Sequence, residues 1–302
     1  MRRLRRAVKG RYPRAVKIEI LGSGGAVCVP RAFCNCRVCT AARAHPGPPQ
    51  VRLGPSIYIH DLSLLIDTPE EIGVELNRSN IECVNTALYT HWHPDHTAGV
   101  RVFEGNYPLD SLLDPGLPPR QTRVILPERV ARTFAEHHAL GAKLSFLEKF
   151  GLVRVEEVEE LQKIDVEGWA VTPVPLAEEF AVAYLFESER RVFICADESY
   201  GFEGVGLGPL DLAILPCGYF SHHPYNGDRI IADGHPVLHR EIAYEETLDL
   251  IRRLDADRVV LVHLNHGLGL LPSEFSRLAA DLQHDGTLPI IEFAYDTMVV
   301  TV

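Results

Sequence analysis

Residues Thr90-His91-Trp92-His93-Pro94-Asp95-His96 place three imidazoles and a carboxylate in six consecutive positions, directly after the apolar run Thr86-Ala87-Leu88-Tyr89. This is a metal site written almost contiguously. If residues 86–90 form a strand, the side-chain period of two sends His91 and His93 to the same side, where both can hold one ion. Pro94 is tolerated in the first turn of a following helix, and that turn carries Asp95 and His96 toward a different point and a second ion. Neutral imidazole nitrogen and carboxylate oxygen are ligands that Zn, Mn and Fe accept. The alternative is a polar loop that happens to be His-rich; the density of donors and the strand in front argue against it.

At 302 residues the chain is long enough to bury a proper core, and no linker divides it. No apolar run approaches the length of a membrane span, and the basic start is not followed by the apolar stretch of a secretory signal, so the expected compartment is the cytoplasm. Residues 1–17 hold eight basic side chains and no acid, and residues 1–15 read as a basic, solvated extension before a domain over 16–302. Beyond the first 17 residues stand 22 basic against 41 acidic residues, a formal charge of −19. Such a body is not a general nucleic-acid surface, because neutralising phosphate needs the opposite sign. Seven cysteines, three of them at Cys34, Cys36 and Cys39, suit a reduced compartment and a metal better than a disulfide framework.

Alternation predicts strands at 17–21, 56–60, 63–67, 122–126, 169–174, 181–186, 192–196, 212–216 and 258–263, with closing strands over 289–302. Helices are expected over 69–77, 128–138, 241–254 and 273–283, and an inserted loop over 104–121. Gly22-Ser23-Gly24-Gly25 reads as a tight turn, its spacing being that of neither a P-loop nor a dinucleotide fingerprint. Cys34-Asn35-Cys36-Arg37-Val38-Cys39 brings three thiolates into six residues, and a fourth ligand would close a tetrahedral, structural zinc site. Cys28 is a reserve ligand, and Cys83, Cys195 and Cys217 read as core thiols.

His91, His93, Asp95 and His96 match the His-x-His-x-Asp-His signature of the metallo-β-lactamase superfamily, which the chain resembles from about residue 16 to its end. The resemblance implies an α/β fold, a four-layer αββα sandwich with a dinuclear metal site at one edge of its sheets. It also implies that Asp197, after the strand candidate ending Ile194-Cys195-Ala196, bridges both ions, and that His263, after Leu261-Val262, joins Asp95 and His96 on the second. The chain departs from the pattern at Thr172-Pro173-Val174-Pro175-Leu176-Ala177-Glu178-Glu179. Relatives carry a His after such a Pro-Leu, where Glu178 stands nearest. Glu178, or Glu179 beside it, could ligate and give a harder first site favouring Mn or Fe; otherwise the first ion is held weakly or by a residue from elsewhere.

The Cys cluster is similar to that of a narrower branch, the phosphoribosyl cyclic phosphodiesterases of phosphonate breakdown, and more distantly to the B protein of pyrroloquinoline-quinone synthesis. In the former, a His three residues beyond the last active-site His completes the cluster, which implies His266 here. That branch also implies a catalytic His in the loop before the helix leading to the last ligand strand, where His235 and His239 both fit, His235 slightly favoured. His222 and His223 read as loop residues or substrate contacts. The resulting expectation is a metal-dependent hydrolase, a phosphodiesterase whose metal-bridged water attacks a small cyclic or activated phosphate ester, with two active-site ions (Zn, or Mn or Fe), one structural Zn and a homodimeric state. Its rivals are an RNA-processing nuclease of the same superfamily, which would need a basic exosite, and a non-hydrolytic metal-binding biosynthesis or carrier protein.

Overall fold

Alternating apolar residues build two seven-stranded sheets in the computed structural model, which describes residues 15–302 except 108, 110–112, 115, 117 and 285. Of the basic segment expected over 1–15, all but Ala15 lies outside the described residues. The first sheet contains β1 (Lys17–Gly22), β2 (Ser56–Ile59), β3 (Leu64–Ile66), β4 (Thr86–Leu88), β5 (Thr122–Pro127) and β6 (Val153–Val158). The second contains β7 (Ile164–Val166), β8 (Trp169–Pro175), β9 (Val182–Glu187), β10 (Arg191–Ile194), β11 (Leu212–Pro216), β12 (Arg258–Val262) and β13 (Ile290–Phe293). The last strand, β14 (Met298–Thr301), returns to the first sheet, giving the orders β14-β1-β2-β3-β4-β5-β6 and β13-β12-β11-β10-β9-β8-β7.

Both sheets change character along their width. Pairings from β14 through β3 and from β7 through β10 are antiparallel, whereas β3 to β6 and β10 to β13 run parallel. In the inner core Ile18, Ile20, Ile57 and Ile66 meet Val171, Tyr184, Ile194 and Val260. The intervening residues cover the outer faces. Phe193, Ala213, Leu215 and Leu261 pack beneath α6 (Tyr244–Arg253) and α7 (Pro272–Gln283) through Leu250, Ile251 and Phe275. On the other side Leu21, Tyr58 and Leu65 pack with Ile72 of α2 (Ile72–Arg78). This is the expected α/β sandwich, with helices outside two facing sheets. No helix among the described residues is long and apolar enough to cross a membrane.

The remaining helices are α1 (Arg37–Ala44), α3 (Pro94–Thr97), α4 (Glu128–Glu136) and α5 (Leu140–Lys149). The helix expected to reach residue 138 stops at Glu136, because His138 and Ala139 both adopt left-handed backbone conformations and start a new helix whose buried face is Leu140, Leu144 and Leu147. The helix expected from residue 241 starts at Tyr244.

The glycine turn after β1 is a close backbone approach. A Cβ on Gly22 would lie 1.8 Å from the Gly54 carbonyl oxygen. The buried carboxylate of Asp296, between β13 and β14, knits this corner together. It accepts from Ser23 N (2.9 Å), Ser23 Oγ (2.8 Å), Leu53 N (2.9 Å) and Arg78 (3.2 Å). Removing one member of a buried charged network strands the others, so Asp296→Ala should cost about 3–5 kcal/mol. The readout is a lower urea midpoint at an unchanged denaturant slope; a midpoint equal to that of the parent protein would show that the corner holds without it.

Candidate metal centre

The carboxyl ends of parallel strands are where open α/β sheets place ligands, and the donors of this chain collect there. β4 ends at Leu88, two residues short of expectation, and the chain reaches His91 as a loop. Pro94 opens α3 at its first turn, and Thr97 Oγ1 donates to the carbonyls of Trp92 and His93. Two donor groups result, each with its ligand atoms within 4.8 Å of one another: His91, His93 and Glu198; and Asp95, His96, Asp197 and His263. In the first, Glu198 Oε1 lies 3.0 Å from His93 Nδ1 and 3.9 Å from His91 Nε2. In the second, His263 Nε2 lies 3.2 Å from Asp197 and 3.5 Å from Asp95, and His96 Nε2 lies 3.4 Å from Asp95 and 3.8 Å from Asp197.

Asp67, just beyond β3, orients this array. Its carboxylate accepts from Thr90 N (2.8 Å), Thr90 Oγ1 (2.7 Å) and His96 Nδ1 (2.8 Å). Because the Thr90 hydroxyl proton goes to Asp67, its oxygen is left to accept from His91 Nδ1 at 3.0 Å. Both imidazoles thereby carry the proton on Nδ1 and direct a bare Nε2 inward, the outer-shell arrangement that prepares histidine for a metal. The Nε2 atoms of His91, His96 and His263 are buried and have no hydrogen-bond partner. Buried polar atoms are rarely left so. Three such nitrogens facing three carboxylates fit divalent cations, and the donor set suits Zn, Mn or Fe.

The electrostatics point the same way. Burial and the neighbouring charges of His96 and His93 push His91 well below the usual imidazole range. Burial would lower His96 too, but the charges of Asp95 and Asp67 overcome it and raise the group strongly. His93 is likewise raised against burial by its hydrogen bond to Glu198. Burial pushes the Asp197 carboxyl up. Cationic charge is what these buried carboxylates call for, whether as protons on imidazole or as metal ions.

Three of these residues sit in left-handed backbone conformations: Asp67 (φ 63°), Glu198 (φ 56°) and His263 (φ 58°). Such conformations cost about 1–3 kcal/mol in non-glycine residues and gather where function requires them. Gly25 leaves room beside the strained histidine, since a Cβ there would lie 3.0 Å from His263 Nδ1.

Glu178, expected as the replacement ligand, is in neither group, and neither is Glu179. Residues 176–181 form a reversed turn in which Leu176 N bonds Ala181 O and Ala181 N bonds Glu178 O. The Arg129 guanidinium holds the carbonyls of Leu176, Glu178 and Ala181. The turn delivers Phe180 instead, whose ring lies 5.4 Å from that of His93 and 6.1 Å from that of His91. The carboxylate beside these two imidazoles comes from Glu198.

His235 and His239 are exposed, and His235 Nδ1 accepts from Val237 N. No described hydrogen bond or ion pair connects either with the donors. The residue that the same segment brings to the second group is Glu241, which lines a small cavity with Asp197, Tyr219, His263 and Asn265. Burial and the charges of Asp197 and Glu198 push its carboxyl up to about 7. His222 and His223 are loop residues, with His223 Nδ1 accepting from Tyr225 N.

Cys34, Cys36 and Cys39 form a third donor group at the start of α1. His266 is not within it; its Nδ1 is buried without a hydrogen-bond partner. Cys28 stands apart, its thiol directed at Pro30 O, and Cys195 and Cys217 are buried. A cleft of about 600 Å³ opens at Asp95 and runs past the glycine turn to Arg31, Phe33 and Cys34. A cavity of about 630 Å³ over Arg52 and Phe275 touches none of the donors.

A family model described as a beta-lactamase superfamily domain matches residues 64–264, which takes in every residue of the two His-containing donor groups. No curated protein matches the sequence. Among solved structures, the chain is similar to a diphosphatase of the PhnP family (TM-score 0.64, 22% identity, covering 95% of this chain and 97% of that one). It is similar to Zn(2+)-bound PqqB from Methylobacterium extorquens (0.63, 15%, 95% and 100%). It also resembles a long-form RNase Z from yeast (0.55, 12%, 97% and 42%). At these identities the likeness is one of fold.

Asp67→Asn keeps the volume but puts an amide where three donors converge. Outer-shell changes of this kind weaken metal binding about 10–100-fold. Chelator competition should show that loss for the variant; an unchanged affinity would mean that Asp67 does not set the imidazole orientation.

Proposed function

The chain belongs to the beta-lactamase superfamily, and we propose that within it the protein is a metal-dependent hydrolase, a phosphodiesterase acting on a small cyclic or otherwise activated phosphate ester. The observation that carries this reading is the convergence of three unpartnered Nε2 atoms and the carboxylates of Asp95, Asp197 and Glu198 beside an open cleft. His91, His93 and Glu198 would hold one divalent ion, and Asp95, His96 and His263 the other, with Asp197 between them. Such a pair supplies Lewis acidity toward the phosphoryl oxygens and lowers the pKa of the attacking water.

The chain's own residues do the rest. Asp67 and Thr90 keep the two imidazoles in the tautomer that presents Nε2 inward. Phe180 and Trp92, packed on His93, cover the first group from the side of α4. His235 and His239 are exposed and make no described contact with the donors, and Glu241, in the cavity beside Asp197 and His263, would return a proton to the leaving oxygen. The diphosphatase neighbour supports chemistry at phosphorus. The acidic body argues against the nuclease reading, and the filled complement of donors argues against a carrier. Cys34, Cys36 and Cys39 would hold a structural zinc, with His266 as the fourth ligand, since its buried Nδ1 lacks any other partner.

Asp197→Asn should lower hydrolysis of bis(p-nitrophenyl) phosphate by at least about 100-fold, more than an outer-shell change would. If the metal-loaded parent protein cleaves no phosphodiester or other ester, the carrier reading replaces this one. Glu198→His should shift the first site's preference toward Zn in metal competition, because it exchanges a hard oxygen for a third imidazole; an unchanged preference would exclude Glu198 as a ligand. Cys36→Ser should lose one zinc equivalent and lower the unfolding temperature; unchanged zinc content in a folded variant would remove the structural site.

A further inference from the structure

Tyrosine hydroxyls elsewhere in this chain give their protons to the backbone: Tyr58 to Cys83 O at 2.7 Å, Tyr184 to Tyr89 O at 2.7 Å, and Tyr225 to Glu274 O at 3.1 Å. Tyr219 does not. Its oxygen accepts instead, from Asn265 Nδ2 at 3.1 Å. The far end of the amide fixes that direction, because Asn265 Oδ1 accepts from Gly267 N, a group that can only donate. A phenol keeps its proton at neutral pH, and no described residue accepts that of Tyr219.

The backbone holds this residue beside the second donor group. β11 ends at Pro216, and Gly218 turns the chain through a left-handed conformation (φ 78°). Tyr219 N then donates to Ile242 O at 2.9 Å, and its carbonyl accepts from Tyr244 N at 2.8 Å. The residue is thus tied on one side to the segment that carries Glu241 and on the other, through Asn265, to the stretch just beyond His263. Tyr219, Asn265, Glu241, Asp197 and His263 line one small cavity. Acyl and phosphoryl transfer gather negative charge on oxygen, and a neutral donor that the protein holds in place without using its proton is what such charge requires.

We propose, on the phosphoester reading above, that the Tyr219 hydroxyl donates a hydrogen bond to a non-bridging phosphoryl oxygen of the substrate, with Asn265 as the positioning residue that holds the phenol oxygen and so directs its proton. The role differs from that of Glu241. Glu241 gives up a proton to the leaving oxygen, whereas Tyr219 keeps its own, and its hydrogen bond strengthens as charge builds on the oxygen it faces.

The test uses the full chain loaded with zinc, titrated calorimetrically with inorganic phosphate and with vanadate, which takes the five-coordinate geometry of the transition state. Tyr219→Phe removes only the hydroxyl. It should weaken vanadate binding about 10–100-fold, the value of one charge-assisted hydrogen bond, and phosphate binding by less, with zinc content unchanged. Asn265→Ala should weaken vanadate binding in the parent protein and add nothing in the Tyr219→Phe background, because the two side chains act as one unit. The proposal is overturned by an unchanged vanadate affinity in Tyr219→Phe, by an equal loss for both anions, or by a loss of zinc, which would mark a structural role. Additive losses in the double variant would overturn the part given to Asn265. Because no turnover is read, these outcomes are independent of whether the protein cleaves phosphodiesters, and failure here and failure of the hydrolase reading are separate results.

Discussion

The carboxylate of Asp67 is the point from which the candidate metal centre is organised. It is buried, sits just past a central strand, and has three protein donors within 2.8 Å. Two of these contacts decide which nitrogen of His96 and of His91 carries the proton, directly in one case and through Thr90 in the other. Without that decision the same imidazoles could pair with one another or with the carboxylates. With it, their free nitrogens point at a common space, to which the neighbouring strand ends add the carboxylates of Asp197 and Glu198 and the imidazole of His263.

How the second sheet supplies that oxygen depends on one backbone angle. Consecutive residues leaving a strand ordinarily point to opposite sides, so Asp197 and Glu198 should not serve one site. The left-handed conformation at Glu198 breaks the alternation, and the two carboxylates reach adjacent donor groups. His263 reaches the second group with the same kind of backbone turn after β12. The strain is sustained by the sheets beneath: β10, β11 and β12 are buried along nearly their whole length and cannot yield to relax it.

These features explain what could be read in the sequence. His91, His93, Asp95 and His96 stand together in the chain, and Asp197 and His263 each follow an apolar strand, so their convergence was legible with the family resemblance in hand. Both sheets were largely legible from alternation, whereas β6 and β7 were not, because the alternation of β6 breaks at Glu156-Glu157 and β7 is three residues long. Glu198 was hidden because strand periodicity turns it away from its neighbour, and only the left-handed backbone reverses that. Glu178 attracted attention by its place after Pro175-Leu176, but the turn clamped by Arg129 presents Phe180 instead. Asp67 left only a weak signal, an acid ending the run Leu64-Leu65-Ile66. The exposed positions of His235 and His239 depend on a long loop whose path no local pattern reveals.

The central claim is that two ions are held by seven named side chains, with Glu198 completing the first shell. Anomalous diffraction from crystals of the metal-loaded protein tests it most directly. The account predicts two peaks, one among His91, His93 and Glu198 and one among Asp95, His96, Asp197 and His263, with a Glu198 oxygen at about 2.0–2.2 Å if the metal is zinc. A single peak, or a first ion bound by Glu178 with Glu198 turned away, would contradict it.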